Sequence, residues 1–376
     1  MLVLFSMGEA LAARKHAFPH AGLHQLLRPM GQFAICVRNA MTLNTKTTPD
    51  YPMEELKREA TIGSMGTTSV RSIPVIDFSD YENRRAQIAD DLWNAATQDG
   101  FFQVINHGIL LEDIDNAFAE AKRFFALPMS EKEVFKKKPT VNAGWEYCSQ
   151  VRPSTGTPDN KESYQITLPE MDNLWPDEQV LPGFQAKLLQ FEEDNWQLAM
   201  KILSCFAEKL GFEKDFFAEC CKRSSPGYQC TLRLIHYMSM ENAKPEDFKQ
   251  WRAGAHSDFD CLTLLHLREG EGGLQLCPGN EISSNAWTEV TPVAGAVTCN
   301  IGDMLMRWSD DKLKSTLHRV RMPQPGEYLG PRLSVPFFCQ ANREAVIEGP
   351  EGKYPPITAE DYIYQRLHAN FVQKHK

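Results

Sequence analysis

Apolar residues in the first half of the chain recur every three or four positions, which is the spacing of an amphipathic helix. This pattern predicts helices over 83–97, 111–125 and 184–210. Gly100, Pro128 and Gly211 follow these stretches and mark their ends. Two short apolar runs, 73–78 and 101–106, predict strands that precede the first and second helices.

After Pro226 the pattern changes to short β-type runs separated by Gly, Pro and Asn turn signals. These runs predict strands over 229–237, 262–267, 274–277, 287–290, 296–300, 304–307, 315–321 and 332–339. Thr358 and Asp361 have the spacing of a capping box and predict a last helix over 358–371. Many short strands in succession indicate a sandwich or a double-sheet jelly roll, so we expect an α+β fold with a mainly β core.

The chain divides into four regions on these patterns. Residues 1–72 hold eight Lys or Arg against five Asp or Glu, and we expect a disordered or non-native N-terminal extension, with a mitochondrial transit peptide as the alternative. Residues 73–227 form an N-terminal region of helices and strands, 228–345 the jelly-roll core, and 346–376 a C-terminal helix that packs on the core. No linker separates the last three regions, so we predict one domain.

Composition narrows the class of ligand. The net charge of −9 and the pI near 5.6 disfavour nucleic acid and anionic membranes, which attract basic surfaces. No apolar run approaches the roughly 20 residues of a membrane span. The ten cysteines include no Cys-x-x-Cys pair, which favours a reducing, cytoplasmic setting. We therefore expect a small-molecule substrate and a monomer or weak oligomer.

The stretch His256-Ser257-Asp258 carries the first sign of chemistry. In an extended chain, residues two apart share a face, so the imidazole of His256 and the carboxylate of Asp258 point the same way. This pair supplies two of the three ligands of a 2-His-1-carboxylate iron(II) site. A hydrogen-bonded polar pair is the alternative interpretation of such a triplet. His318, 62 residues downstream on a predicted strand, is the candidate third ligand.

The next predicted strand places Arg332 and Ser334 on one face. A guanidinium group beside a hydroxyl group is suited to binding a carboxylate. A buried arginine near a metal site therefore predicts an anionic ligand.

With these motifs in place, the chain resembles the iron(II)/2-oxoglutarate oxygenases of the isopenicillin N synthase-like superfamily. The matching motifs, in family order, are Ile73–Phe78, Gly100–Gly108, His256-x-Asp258, Gly273–Leu276, Gly302-Asp303, His318–Val320 and Arg332-x-Ser334-x-Pro336-Phe337-Phe338. The resemblance implies a double-stranded β-helix flanked by helices, with Fe(II) on His256, Asp258 and His318. It also implies that 2-oxoglutarate binds to Arg332, Ser334 and Tyr237, and that O2 is the oxidant, with ascorbate as an accessory reductant.

Such an enzyme hydroxylates, desaturates or cyclises a small organic molecule, and specialised metabolism is the expected setting. One departure leaves an alternative open, because related plant enzymes carry Asn-x-Tyr where this chain has Ile235-His236-Tyr237. That form is closer to isopenicillin N synthase, which uses no 2-oxoglutarate, so an iron oxidase of that type is the second hypothesis. A jelly-roll binding protein without redox turnover is the third.

The segment 141–168 lacks helical periodicity and reads as a loop that either lines the site or runs over the surface. The candidate substrate contacts are Tyr147, Gln150, Arg152, His236 and Phe338. Arg152 would suit an acidic or carbonyl group on the substrate. Three other polar residues, His107, His266 and Asp303, are expected to be structural. Asp260 shares the face of Asp258 and could be mistaken for a ligand, but Asp258 is preferred because of its family position.

Overall fold

Two facing β-sheets form the centre of the computed structural model, which describes residues 66–69, 71–138, 141–150, 158–244, 247, 251–277, 286–324 and 326–372. The larger sheet runs in the order β2-β3-β11-β8-β13-β6-β5-β4 and the smaller in the order β1-β10-β9-β12-β7. Their strands are β1 (Thr67–Ser69), β2 (Val75–Asp77), β3 (Phe101–Ile105), β4 (Gly144–Tyr147), β5 (Lys161–Ile166), β6 (Thr231–Tyr237), β7 (Ala253–His256), β8 (Leu262–Leu267), β9 (Leu274–Cys277), β10 (Ala286–Glu289), β11 (Val297–Ile301), β12 (Leu317–Val320) and β13 (Arg332–Cys339). A separate ribbon pairs β14 (Val346–Ile347) with β15 (Ile357–Thr358).

The helices are α1 (Tyr81–Gln98), α2 (Leu111–Phe125), α3 (Met129–Lys132), α4 (Phe184–Lys209), α5 (Phe216–Cys220), α6 (Asp303–Trp308) and α7 (Ala359–Val372). The three helices predicted from periodicity in the first half of the chain are confirmed as α1, α2 and α4. The hydroxyl of Thr358 accepts a hydrogen bond from the amide of Asp361 at 3.1 Å and thereby caps α7. No helix in the described part of the chain is long and apolar enough to cross a membrane.

The two faces of the larger sheet have different surroundings. On its outer face, residues such as Leu333, Val335 and Leu234 join the large hydrophobic core formed with the helices. On its inner face, Ile235 and Tyr237 pack with Leu276 and Val320 of the smaller sheet in a second core. Since side chains alternate along a strand, the position of each residue decides which of these layers it enters. The expected jelly-roll core with flanking helices is confirmed.

Three local predictions were wrong. Residues 304–307, predicted as a strand, lie in helix α6, because a short, fully buried apolar run does not by itself distinguish a strand from a helix. The segment 141–168, predicted as a loop, contributes β4 and β5 to the edge of the larger sheet. The predicted start of structure at Ile73 is too late, because β1 pairs in parallel with β10 from Thr67 onward. The prediction for residues 1–65 lies outside the described residues.

Candidate metal centre

His256, Asp258 and His318 meet at one end of the smaller sheet. His256 is the last residue of β7 and pairs directly with His318 on β12. Asp258 follows two residues later, and its Oδ1 lies 3.8 Å from His256 Nε2 and 3.7 Å from His318 Nε2. Ligand atoms of the three residues all lie within 4.8 Å of one another. The structure therefore brings together the three residues that the sequence singled out.

Backbone carbonyl groups orient both imidazole rings. His256 Nδ1 lies 2.7 Å from the carbonyl oxygen of Gly254, and His318 Nδ1 lies 3.2 Å from that of Thr316. A carbonyl oxygen only accepts, so each Nδ1 carries the proton and donates it. Each Nε2, which lies 3.8 or 3.7 Å from Asp258 Oδ1, is then the nitrogen left to bind a metal.

The Asp258 carboxylate is held by its other oxygen. Its Oδ2 accepts hydrogen bonds from Thr263 Oγ1 at 2.7 Å and from Asn300 Nδ2 at 2.9 Å. These two donors, on β8 and β11, leave Oδ1 directed toward the imidazoles. Two imidazoles and one oriented carboxylate oxygen match the facial donor set that non-haem Fe(II) uses, so the residues fit this metal.

Asp260 and Asp303 are both buried beside the candidate metal centre. Asp260 is 1% exposed, and its burial and the nearby charge of Asp258 raise its pKa well above the ordinary value. Asp303 Oδ2 accepts a hydrogen bond from Ser257 at 2.9 Å and forms an ion pair with Arg366 of α7. Arg366 was missed by the sequence reasoning, because only the fold brings the C-terminal helix α7 next to Ser257 and Asp303.

Arg332 and Tyr237 lie opposite each other on β13 and β6, and the Arg332 guanidinium carbon is 5.0 Å from the centre of the Tyr237 ring. Arg332 Nε donates to the carbonyl oxygens of Glu271 and Gly272 at 3.0 and 3.2 Å. Within the described residues, its buried Nη1 has no hydrogen-bond partner. Burial lowers the Arg332 pKa, and Tyr237 and Glu271 oppose that effect. A buried guanidinium group with an unsatisfied hydrogen-bond donor fits a carboxylate ligand. Ser334, which is 2% exposed, lies on the same face of β13.

The structure separates the five candidate substrate contacts. His236 lies on the outer face of β6, where its ring stacks on Phe125 and its Nδ1 lies 2.9 Å from Glu162. Tyr147 is also on the outer face, in register with Glu162, and is 46% exposed. Neither side chain lies on the inner face of the sheet, which faces the candidate metal centre. Arg152 lies outside the described residues.

Phe338 and Gln150 remain on the inner side. Phe338 shares the inner face of β13 with Arg332 and Ser334. Gln150 Nε2 donates to Glu146 Oε1 at 2.6 Å, and Glu146 lies on the inner face of β4. The sequence reasoning missed Glu146 and also Arg233, an inner-face residue of β6. Alternation counted back from Tyr237 along the strand would have indicated Arg233.

Comparison with known proteins identifies the class. Residues 73–178 match the family described as non-haem dioxygenase in morphine synthesis N-terminal, and residues 228–341 match the 2OG-Fe(II) oxygenase superfamily. The 2-oxoglutarate-Fe(II) type oxidoreductase hxnY of Emericella nidulans is 33% identical over 322 residues, which cover 77% of this chain and 88% of the relative.

Solved structures agree with this result. A full-length Neurospora crassa protein, solved in complex with alpha-KG (2-oxoglutarate), has a TM-score of 0.70 and 30% identity, with 81% of this chain and 100% of that chain covered. The complex of the same protein with alpha-KG and thymine has a TM-score of 0.69 and 30% identity over 79% and 96% of the two chains. The chain belongs to the 2OG-Fe(II) oxygenase superfamily. It is a non-haem Fe(II)- and 2-oxoglutarate-dependent dioxygenase, which confirms the main functional prediction.

Proposed function

We propose that His256, Asp258 and His318 hold the Fe(II) of this dioxygenase. The observation that carries this assignment is the pair of backbone hydrogen bonds that leaves both Nε2 atoms, together with Asp258 Oδ1, facing one point. Bound there, Fe(II) and 2-oxoglutarate supply the oxidising power, since oxidative decarboxylation of the cosubstrate to succinate activates O2. These three side chains would hold the metal and would leave further coordination positions for 2-oxoglutarate and O2.

We propose that Arg332, Ser334 and Tyr237 bind the remote carboxylate of 2-oxoglutarate. The vacant Nη1 of Arg332 supports this role, because a buried donor without a partner is costly unless a ligand satisfies it. Nε, fixed by two carbonyl oxygens, holds the guanidinium plane in place before the ligand arrives. The Arg332 side chain therefore provides both charge and orientation.

The substrate that we propose is a small organic molecule bound on the inner face of the larger sheet beside the iron. Phe338 supports this placement, as does the similarity to the Neurospora crassa protein, whose solved complex contains thymine. The reaction that we propose is a hydroxylation, a desaturation or a cyclisation, all of which begin with removal of hydrogen from a substrate C–H group near the metal. A reducing, cytoplasmic setting is part of the proposal and is supported by the nine free thiols of the described residues.

The test of the metal assignment compares two histidines. Purified protein is expected to bind one equivalent of Fe(II) anaerobically and to form succinate from 2-oxoglutarate. His256→Ala is expected to abolish both. His236→Ala, which changes a histidine on the outer face, is the control and should keep the stoichiometry of iron. Full succinate formation by His256→Ala would overturn the assignment.

A further inference from the structure

Two inner-face side chains interrupt an otherwise buried surface. Along β13 seven of the eight residues are buried, and Phe338 is the partly exposed one. On β6 the partly exposed inner-face residue is Arg233. Both strands lie in the interior of the larger sheet, with β8 on one side and β5 on the other, so this exposure is not that of a sheet edge. Phe338 and Arg233 therefore border open space on the side that faces the metal centre.

Phe338 lies beside the residues that donate hydrogen bonds to Asp258, a proposed iron ligand. In the strand register it is directly opposite Thr263, whose hydroxyl donates to Asp258. Thr263 is in turn opposite Asn300, the second donor to the same carboxylate. Neighbouring strands are about 5 Å apart, so Phe338 lies one strand spacing from Thr263, which donates a hydrogen bond to Asp258. A molecule resting on that ring lies next to the metal.

Arg233 is held over this ring by a chain of polar contacts. Its guanidinium carbon lies 4.9 Å from the centre of the Phe338 ring. Its Nη2 donates to Gln165 Oε1 at 2.5 Å, and Gln165 Nε2 donates to Glu146 Oε1 at 3.2 Å. The strand register places Arg233 opposite Gln165, so the contact spans β6 and β5. The guanidinium group is thus fixed in position next to an aromatic face.

Glu146 organises this cluster from within the protein. Its two carboxylate oxygens accept hydrogen bonds from Ser149, Gln150 and Ser163 at 2.6–2.9 Å in addition to Gln165. Burial opposes ionisation of Glu146, but the charges of Arg233 and Lys137, with the serine hydroxyls, lower its pKa. The acceptor capacity of Glu146 is therefore used inside the protein. The part of the cluster that is partly exposed to a ligand is the Arg233 guanidinium, whose nitrogens only donate hydrogen bonds.

We propose that Arg233 and Phe338 select a planar substrate that presents a hydrogen-bond-accepting oxygen to Arg233. This inference rests on the proposed function, since it places the substrate beside the proposed iron site. The flat aromatic ring and the flat guanidinium group both favour stacking with a planar molecule. The oxygen belongs either to a carbonyl group of a neutral heterocycle or to the carboxylate of an aromatic acid, and these two share the same acceptor chemistry.

The experiment uses full-length protein loaded anaerobically with Fe(II) and 2-oxoglutarate. Thymine is the neutral carbonyl probe and benzoate is the carboxylate probe. Binding is followed as a change in the visible charge-transfer band, and coupled turnover is followed as probe-stimulated succinate formation in air. At least one probe is expected to bind to the unmodified protein, and the one that binds identifies the source of the oxygen.

Arg233→Met is expected to weaken binding of that probe at least about tenfold, because the substitution removes a charged hydrogen-bond donor. Its affinities for Fe(II) and 2-oxoglutarate should stay within about twofold of the original. Arg233→Lys keeps the charge but loses the planar fork of the guanidinium group, so it should also bind the probe less tightly. This variant provides the test if Arg233→Met fails to fold. Arg85→Met, which removes a partly exposed arginine paired with Glu208 on the helical layer, is the matched control.

Three results would overturn the inference. One is that neither probe binds, even though the protein binds Fe(II) and 2-oxoglutarate. Another is that Arg233→Met or Arg233→Lys binds the probe as tightly as the unmodified protein. The last is that Arg233→Met weakens 2-oxoglutarate binding as much as probe binding, which would assign Arg233 to the cosubstrate. All three leave the proposed function standing, whereas failure of the unmodified protein to bind Fe(II) ends both proposals.

Discussion

Arg366 and Asp303 form an ion pair in which both side chains are at most 1% exposed. The same Asp303 oxygen accepts a hydrogen bond from Ser257, which lies between the proposed metal ligands His256 and Asp258. The Asp303 amide also donates to the carbonyl oxygen of Asp258 at 2.8 Å. Helix α7 is therefore connected through one carboxylate to the backbone that carries the proposed iron ligands His256 and Asp258.

Arg366→Met is expected to reduce both stability and iron affinity. Removal of one partner of a buried ion pair costs about 3–5 kcal/mol, because the other charge stays buried. Fe(II) affinity should fall about tenfold as Ser257 and Asp303 lose their common anchor. Urea unfolding and anaerobic Fe(II) titration measure the two effects. Tyr364→Ala changes an exposed residue of the same helix and should alter neither, and an Arg366→Met protein with unchanged iron affinity would refute the positional role.

Thr263→Val is expected to weaken Fe(II) binding about 10- to 100-fold at nearly constant side-chain volume. The substitution removes the hydroxyl that holds Asp258 Oδ2, so the carboxylate gains freedom to rotate away from the imidazoles. Anaerobic metal titration monitors the change. Thr298→Val on β11 is the control, because this buried threonine accepts a hydrogen bond from Gln103 and has no contact with Asp258 in the described hydrogen bonds. The iron affinity of the Thr298→Val protein should match that of the unmodified protein. Equal affinities of the two variants would argue against orientation by Thr263.

The placement of His236 shows what the sequence could have predicted with one further step. Tyr237 was assigned to the ligand side of its strand, and alternation then puts His236 on the opposite side and Arg233 on the same side. The structure shows this arrangement. The same reasoning separates Tyr147 from Glu146 on β4, but only once β4 is known to be a strand. Its polar inner face made the segment look like a loop.

Other features could not be predicted from local pattern. The contact between Arg366 and Asp303 spans 63 positions and depends on where the last helix docks. The direct pairing of His256 with His318 depends on the order of strands in the smaller sheet, which periodicity does not encode. The sequence singled out the three residues that meet in the structure because their types and spacing are restrictive. Thr263 and Asn300, which donate hydrogen bonds to Asp258, are common residue types in ordinary strands and were therefore not singled out.

The pH dependence of stability is expected to have a component from His266. This residue is 1% exposed, its Nε2 lies 2.7 Å from Asn195 Oδ1, and burial lowers its pKa from 6.5 to about 3. Above the pKa that His266 has in the unfolded chain, the imidazole is neutral in both the folded and the unfolded state and does not change the free energy of unfolding. Between that pKa and about 3 only the unfolded chain takes up the proton, so stability falls as pH falls, by up to about 1.4 kcal/mol per pH unit.

The measurement is the urea unfolding free energy of metal-free protein at about pH 6 and about pH 5. The unmodified protein should lose about 1 kcal/mol more over this interval than His266→Gln, which has no titrating ring but keeps an amide donor for Asn195. Metal-free protein is used so that changes in iron occupancy do not contribute. An equal loss for both proteins would show that His266 does not titrate on unfolding in this range.

The most direct test of the account is a titration of 2-oxoglutarate into the anaerobic Fe(II)-loaded protein, followed by the visible charge-transfer band. The unmodified protein should develop the band and saturate. Arg332→Met should still bind Fe(II) but need at least about 30-fold more 2-oxoglutarate, since loss of a buried charged partner costs about 2 kcal/mol or more. The proposed cosubstrate site would be contradicted by an unchanged midpoint of the 2-oxoglutarate titration in the variant. It would also be contradicted if the Fe(II)-loaded unmodified protein gave no band, and that result would favour an iron oxidase that does not use 2-oxoglutarate.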